Sequence, residues 1–244
     1  MNNFIAGLDL GQAKDPTALA ILERSEAADP GRPERSVHHY VCRHLQRFHL
    51  GMSYPDIIRE LRELLNRNPA GQSVPQLHGL TLAVDQTGVG APVVDMIREA
   101  RLPVDLRPIH ITAGDRANLQ DGVYRVPKRE LASDMQVVLQ ARRLRIVPQL
   151  REASTIEREL QNFSVKQHHD GHESFEALRA GQHDDLVLAV AMAVWLGEHS
   201  ILEDVGVPLI LGSPPDPMGS SGQWISTADM RAVQNAAWDS WEPY

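Results

Sequence analysis

Apolar positions open the chain without a break: Phe4-Ile5-Ala6-Gly7-Leu8-Asp9-Leu10 is apolar on both faces of a pleat apart from one carboxylate. Such a run predicts a central strand covered on both sides. Gly11 and the Asp15-Pro16 pair turn the chain, Thr17 to Leu22 reads as a second strand returning beside the first, and Ser36 to Leu45 as a third. Residues 25–35, rich in Pro, Gly and charge, read as an exposed loop between them. Ser53 and Asp56 then start a helix with Ile57, Ile58, Leu61, Leu64 and Leu65 on one face. Leu80 to Val84 is a short apolar strand ending in Asp85, Pro92 sits in the first turn of a helix running to about Ala100, and Pro103 to Ile109 is another strand. That strand–helix–strand unit predicts parallel pairing with a right-handed crossover. Ser133-Asp134 predicts a helix cap, with the helix ending near Arg143, and Ser154-Thr155 another, ending near Phe163. Asp170-Gly171 is a hairpin signal. Asp184 to Leu196 begins with two aspartates and is then apolar around its whole circumference, the pattern of a helix buried on nearly all sides.

These elements predict an α/β fold: a mixed sheet of three antiparallel strands followed by parallel strands, flanked by helices on both faces. Beyond Ser200 the composition shifts to Pro, Gly and Ser, so residues 1–200 read as one domain and 201–244 as a linker and C-terminal tail. A chain of 244 residues, 42% hydrophobic, is large enough to bury a core of its own. The single cysteine, Cys42, excludes a disulfide framework and a cysteine-based zinc site. No run of 18 apolar residues appears and the start lacks the regions of a signal peptide, so the expectation is a cytoplasmic protein with no membrane partner. The net charge of −8 excludes a polybasic nucleic-acid coat. An enzyme meeting DNA through a local patch and bound metal ions remains compatible with it.

Three places put aspartate where the pattern calls for apolar residues. Asp9 lies within a buried strand, Asp85 ends the next parallel strand, and Asp184-Asp185 open the buried helix. A buried, unpaired carboxylate neutralises itself or acquires a cation. No arginine or lysine lies in these strands or this helix as read from sequence, so a divalent ion held by oxygen ligands is the simplest resolution. Taken singly, each has a plainer reading: a helix cap for Asp184 or Asp185, a turn residue for Asp85, a hydrogen-bonded core polar group for Asp9.

The local text is more specific than the acidic layout. Gly7-Leu8-Asp9-Leu10-Gly11 with Asp15-Pro16-Thr17-Ala18, Val84-Asp85-Gln86-Thr87-Gly88-Val89-Gly90, Val126-Pro127-Lys128 and Gly181-Gln182-His183-Asp184-Asp185-Leu186 together resemble the nuclease domain of tailed-phage terminase large subunits. That family lies in the ribonuclease H-like superfamily, and the resemblance runs from about residue 4 to 198. It implies endonucleolytic cleavage of double-stranded DNA during phage genome packaging, with two Mg²⁺ or Mn²⁺ ions as cofactor and the host cytoplasm as the setting. It also implies a motor ATPase domain, a small terminase subunit and a portal as partners of the full assembly. The family's motor carries a Gly-x-x-x-x-Gly-Lys-Ser/Thr phosphate loop, which this sequence lacks, so the expectation is a nuclease unit without ATPase activity.

On these residues, two divalent ions about 4 Å apart would activate water and neutralise the scissile phosphate. Asp9 is the expected bridging ligand, Asp85 holds one ion, and Asp184 or Asp185 the other, since adjacent helix residues point about 100° apart. His183 is a candidate to orient the attacking water. Asp15 reads as a turn residue before proline. Lys128, Lys166, Arg125, Arg129 and Arg143 are candidate DNA contacts, with Arg142 and Arg145 nearby in sequence. His168, His169 and His172 lack the companions a zinc site needs.

Three other readings stand beside this one. A Holliday-junction resolvase would share the acidic site but select four-way junctions. A sugar kinase or actin-like ATPase would share the Gly7–Gly11 motif but needs a second domain. A DNA-packaging assembly module with a weak site would share the fold alone.

Overall fold

The computed structural model describes residues 4–11, 15–29, 31–66, 77, 79–88, 90–167, 173–177 and 184–199. In chain order the elements are β1 (Phe4–Asp9), β2 (Ala18–Asp29), β3 (Arg32–Arg47), α1 (Tyr54–Asn66), β4 (Leu80–Asp85), α2 (Gly90–Ala100) and β5 (Val104–Thr112). They continue as β6 (Asn118–Gln120), β7 (Val123–Pro127), α3 (Lys128–Gln140), β8 (Leu144–Ile146), α4 (Ala153–Asn162), β9 (Phe163–Gln167), β10 (Glu173–Ala177) and α5 (Asp185–His199). Eight strands form one mixed sheet in the order β6-β7-β5-β4-β1-β2-β3-β8, and β9 and β10 form a separate two-stranded ribbon. The first three strands are antiparallel, whereas β1, β4, β5 and β7 run parallel. This is the mixed α/β sheet expected, with the β4–α2–β5 unit pairing in parallel.

Side-chain alternation sorts the core into two layers. Ile5, Ala18, Ala20, Leu22 and Ala83 face one side, where Leu131, Met135 and Val138 of α3, Ile156 and Leu160 of α4, and the whole of α5 pack. Ala6, Leu8, Leu19, Ile21, Leu82 and Val84 face the other, against Ile57, Ile58, Leu61 and Leu65 of α1 and Val93, Val94 and Ile97 of α2. Helix α5 is buried from Asp185 to Gly197, as its all-round apolar sequence requires. The Ser53 hydroxyl accepts from the Asp56 amide at 3.3 Å, the expected cap of α1.

Two local expectations are corrected. Residues 25–35 are not a loop: β2 and β3 remain paired through Ser25↔His39 and Ala28↔Ser36, as a ribbon reaching beyond the end of β1. Its residues are largely exposed, so cross-strand hydrogen bonding makes the strands without a buried face to reveal them in sequence. Helix α3 starts five residues before Ser133, at Lys128, with Pro127 as its cap residue and no side-chain cap. Proline's fixed φ, here −60°, is already close to helical and starts the turn without a polar cap. The short strands β6, β7 and β8 had no signal strong enough to read. The β6–β7 turn, Asp121 (φ 54°) and Gly122 (φ 76°), is the mirror-image two-residue form that tight hairpins favour. Asp170-Gly171 and residues 201–244 lie outside the described residues.

Candidate metal centre

Register places the acidic groups. Leu8 lies opposite Val84 in the parallel β1–β4 pair, so Asp9 and Asp85 leave the carboxyl ends of neighbouring strands side by side. Both continue the alternation of Gly7 and Ala83, which face α5. Ligand sites in α/β sheets gather at this edge, outside the carboxyl ends of parallel strands. Across the other neighbour, Asp9 pairs with Ala18 and Ala18 with Arg47. One row across the sheet thus reads Asp85, Asp9, Ala18, Arg47, with Arg47 two strand spacings, about 10 Å, from Asp9 at the backbone.

Helix α5 lies close on the sheet next to this row because Gly7, two residues before Asp9, has no side chain: a Cβ there would meet the Ala189 carbonyl oxygen at 1.9 Å. One helical turn back from Ala189 is Asp185. Its leading aspartates therefore stand over the end of β1. Asp9 feels all three of the others. Burial pushes its pKa well above the ordinary 3.8, and Asp85, Asp185 and Asp184 push it further up, against the opposing charge of Lys128. Asp85 is also raised by burial, in spite of accepting hydrogen bonds at Oδ1 from the Thr87 amide (2.8 Å) and hydroxyl (2.6 Å), with His110 nearby.

The expectation that no basic residue pairs with these carboxylates is corrected. Lys128 Nζ lies 3.1 Å from Asp184 Oδ2, and Arg47 Nη2 lies 3.2 Å from Asp185 Oδ2. Both partners come from element ends that sequence boundaries missed: β3 runs two residues past Leu45, and α3 begins at Lys128. Sequence reasoning also missed Glu159 on α4. Its carboxylate accepts from the Leu186 and Val187 amides (3.1 and 3.2 Å) and from Arg47. Burial raises its pKa to about 7 although Arg47 lies against it. A polar residue recurring in step with Ile156 and Leu160 was the available signal.

Among the described residues, no three His, Cys, Asp or Glu side chains stand in ready ligand geometry. Asp184 is turned to Lys128, Asp185 to Arg47 and Asp85 to Thr87. The donor set nonetheless fits a divalent cation: it is all carboxylate oxygen, suited to Mg²⁺ or Mn²⁺, and its buried centre, Asp9, has three further carboxylates about it against the one opposing charge of Lys128. His183 lies outside the described residues.

The candidate DNA contacts divide. Lys128 belongs to the acidic cluster. Arg125 is exposed on β7, in register with His110 and Asn118. Arg129 is exposed beside Asp115, at 2.9 Å. Lys166 lies on the β9–β10 ribbon opposite Ser174. Arg143 is a correction: it is buried and gives two hydrogen bonds to Glu198 (2.8 and 2.9 Å) and one to the His38 carbonyl (2.8 Å). Burial opposes the charge on Glu198, and the hydrogen bonds from Arg143 and Tyr40 overcome it, holding its pKa below the ordinary value. Glu198 closes the far end of α5, whose 15 residues put Arg143 about 20 Å from the leading aspartates. A basic stretch in sequence straddles a helix end and a turn, and only its outer members reach solvent.

The mixed eight-stranded sheet with helices on both faces is the ribonuclease H-like fold expected from the sequence. Within it, the chain is similar to the large terminase nuclease from thermophilic phage G20c, solved with bound cobalt, at 20% identity and a TM-score of 0.53, covering 79% of this chain and 80% of that one. The same nuclease with bound magnesium matches at 19% identity over the same shares, with a TM-score of 0.53. The large terminase nuclease domain of Thermus phage P74-26 matches at 18% identity and a TM-score of 0.50, covering 79% and 78%. The fold is that of large terminase nucleases. No family model matches the sequence, and no curated protein matches it significantly. No helix among the described residues is long and apolar enough to cross a membrane.

Proposed function

We propose that the chain is a divalent-metal-dependent endonuclease of double-stranded DNA, of the kind that cuts phage genomes during packaging. The observation that carries this reading is the buried Asp9 carboxylate at the carboxyl edge of the sheet, beside Asp85 on the neighbouring strand and beneath Asp184 and Asp185 at the start of α5. The fold, shared with a large terminase nuclease that has been solved both with magnesium and with cobalt, supports it. Motor ATPase, small terminase subunit and portal are the partners this reading implies, in a host cytoplasm.

Asp9, Asp85 and Asp184, with Asp185 beside it, would hold the two Mg²⁺ or Mn²⁺ ions, Asp9 as the ligand common to both groups of carboxylates. When bound, the ions neutralise charge at the scissile phosphate and acidify the attacking water. The residues themselves set the geometry. Asp9 is fixed by pairing on both sides of its strand. Thr87 holds one oxygen of Asp85 and leaves the other for ligation. Lys128 is tethered to Asp184 by a half-exposed contact, from which it can move to a phosphate oxygen when DNA arrives.

Supercoiled plasmid incubated with Mn²⁺ or Mg²⁺ tests the reading. The chain is expected to nick and linearise it, and Asp9→Asn and Asp85→Asn to leave it intact while still folding. Cutting by either variant at the wild-type rate would overturn the site. Cleavage confined to four-way junctions, with linear duplex untouched, would replace duplex cutting by junction resolution.

A further inference from the structure

The contacts around the first turn of α5 involve two residues to which the cleavage chemistry assigns no part. Glu159, on α4, uses one carboxylate oxygen to accept both the Leu186 and Val187 amides and the other to accept from Arg47. Arg47 Nη2 in turn pairs with Asp185. The side chains of Glu159 and Asp185 are each 7% exposed, and that of Arg47 is 21% exposed. Three elements meet here: the end of β3, α4 and α5. Arg47 is aimed at this point by register, since it stands in the same row as Asp9 with only Ala18 between them.

We propose that Arg47 and Glu159 are positioning residues of the acidic centre, a clamp across the first turn of α5 that fixes where Asp184 and Asp185 stand relative to Asp9. The inference rests on the nuclease reading above and deepens it. A backbone amide pair anchored to Glu159 sets the height and rotation of the turn. One guanidinium nitrogen, Arg47 Nη2, meets Glu159 and Asp185 at once and so ties Asp185 to the carboxylate that anchors the turn. A lysine is not equivalent, because its ammonium is a point charge on a flexible stem and lacks the rigid planar guanidinium that aims Nη2 at both carboxylates. Outer residues that orient metal ligands typically change metal affinity by about 10–100-fold when removed.

Charge alone and positioning predict opposite signs, which makes the test decisive. Arg47→Gln removes a cation from beside the carboxylates, so by Coulomb's law alone Mn²⁺ would bind more tightly. The clamp instead requires weaker Mn²⁺ binding, by about tenfold or more, measured by titration calorimetry on the full chain. In plasmid cleavage kcat should fall by a similar factor with KM for DNA nearly unchanged. Arg47→Lys keeps the charge and should fail in the same way. In the metal-free chain, Glu159→Ala should speed hydrogen exchange at the Leu186 and Val187 amides while the β1 and β4 amides keep their protection. Glu159→Gln, which retains an acceptor for those amides, should keep them protected yet still lose Mn²⁺ affinity. Arg47→Gln binding Mn²⁺ as tightly as wild type, wild-type behaviour of Arg47→Lys, or unchanged exchange in Glu159→Ala would each overturn the clamp and leave the nuclease reading standing. A wild-type chain that neither binds Mn²⁺ nor cuts DNA would overturn both.

Discussion

Gly7 and Ala189 meet backbone to backbone, so that a methyl group on Gly7 would come 1.9 Å from the Ala189 carbonyl oxygen and 2.8 Å from its carbonyl carbon. This contact sets the depth at which α5 lies on the sheet, and through it the height of Asp184 and Asp185 above Asp9. Helix backbone has no rotamer with which to yield. Gly7→Ala should therefore cost about 3 kcal/mol or more, the upper range for forcing extra volume into a packed interior. Urea denaturation of the two proteins checks this; a loss below about 0.5 kcal/mol, the scale of a surface change, would mean that α5 is not seated as described.

A second prediction concerns Asp9 and acid. Its folded pKa stands above the ordinary 3.8, raised first by burial and then by Asp85, Asp185 and Asp184. The native state therefore holds this proton where the unfolded chain has released it. The stability so contributed is complete below 3.8 and is lost as pH rises through the folded value. Asp9→Asn removes that loss. Without metal, it should be more stable than wild type at pH 7, with the difference shrinking toward pH 4. Adding Mn²⁺ should raise the Tm of wild type and leave that of Asp9→Asn unmoved, because a ligand stabilises only a state that binds it. Thermal melts across this pH range, with and without Mn²⁺, provide the check, and a metal-free variant less stable than wild type at pH 7 would contradict the crowding of carboxylates.

The sheet and the acidic quartet were legible because burial leaves a strong mark on sequence. A strand covered on both faces must be apolar throughout, so Asp9 stood out among Phe4 to Leu10, and the same logic exposed Asp184-Asp185 ahead of a helix with no polar side. What lay hidden were the basic partners. Arg47 stands two residues past Leu45, the last alternating residue of β3, and nothing local tells that the strand continues until its register with Ala18 is known. Lys128 reads from sequence as a DNA contact rather than as a partner of Asp184, because Pro127, rather than a polar cap, begins α3 and hides where the helix starts. Glu159 sits on an amphipathic helix rich in charge, where one buried carboxylate resembles its exposed neighbours until the packing partner is known. Arg143 failed for the converse reason: its neighbours in sequence are exposed, while its own partner, Glu198, comes from 55 residues away.

Lys128 offers a third prediction, since it serves the acidic cluster and the DNA in opposite senses. Its contact with Asp184 is partly exposed, at 30% and 23% for the two side chains, so the pair contributes at most about 1 kcal/mol. Lys128→Met should then tighten Mn²⁺ binding up to about fivefold, the equivalent of that energy, by removing a competing cation. The same change should weaken DNA binding and lower the slope of log affinity against log salt by about one, as expected for one lost phosphate contact. Weaker Mn²⁺ binding by the variant would show that Lys128 supports the carboxylates instead of competing for them.

Arg143 and Arg125 form a matched pair for the last prediction. Arg143 is buried at the far end of α5, with its guanidinium committed to Glu198 and the His38 carbonyl, and Tyr40 donating to the same carboxylate at 2.7 Å. Removing one partner of a buried ion pair strands the other charge, at a cost of about 3–5 kcal/mol. Arg143→Met should therefore lower stability by that amount, and the folded fraction should bind DNA with wild-type affinity and salt dependence. Arg125 faces solvent on β7 beside His110, on the strand that ends one residue before Lys128. Arg125→Ala should leave stability within about 0.5 kcal/mol of wild type and reduce the salt slope by about one. Urea melts and DNA titrations at several salt concentrations separate the two. A lowered slope in Arg143→Met with unchanged stability would place DNA at the far end of α5, away from Asp9, and no cut at the acidic centre could then follow from that binding mode.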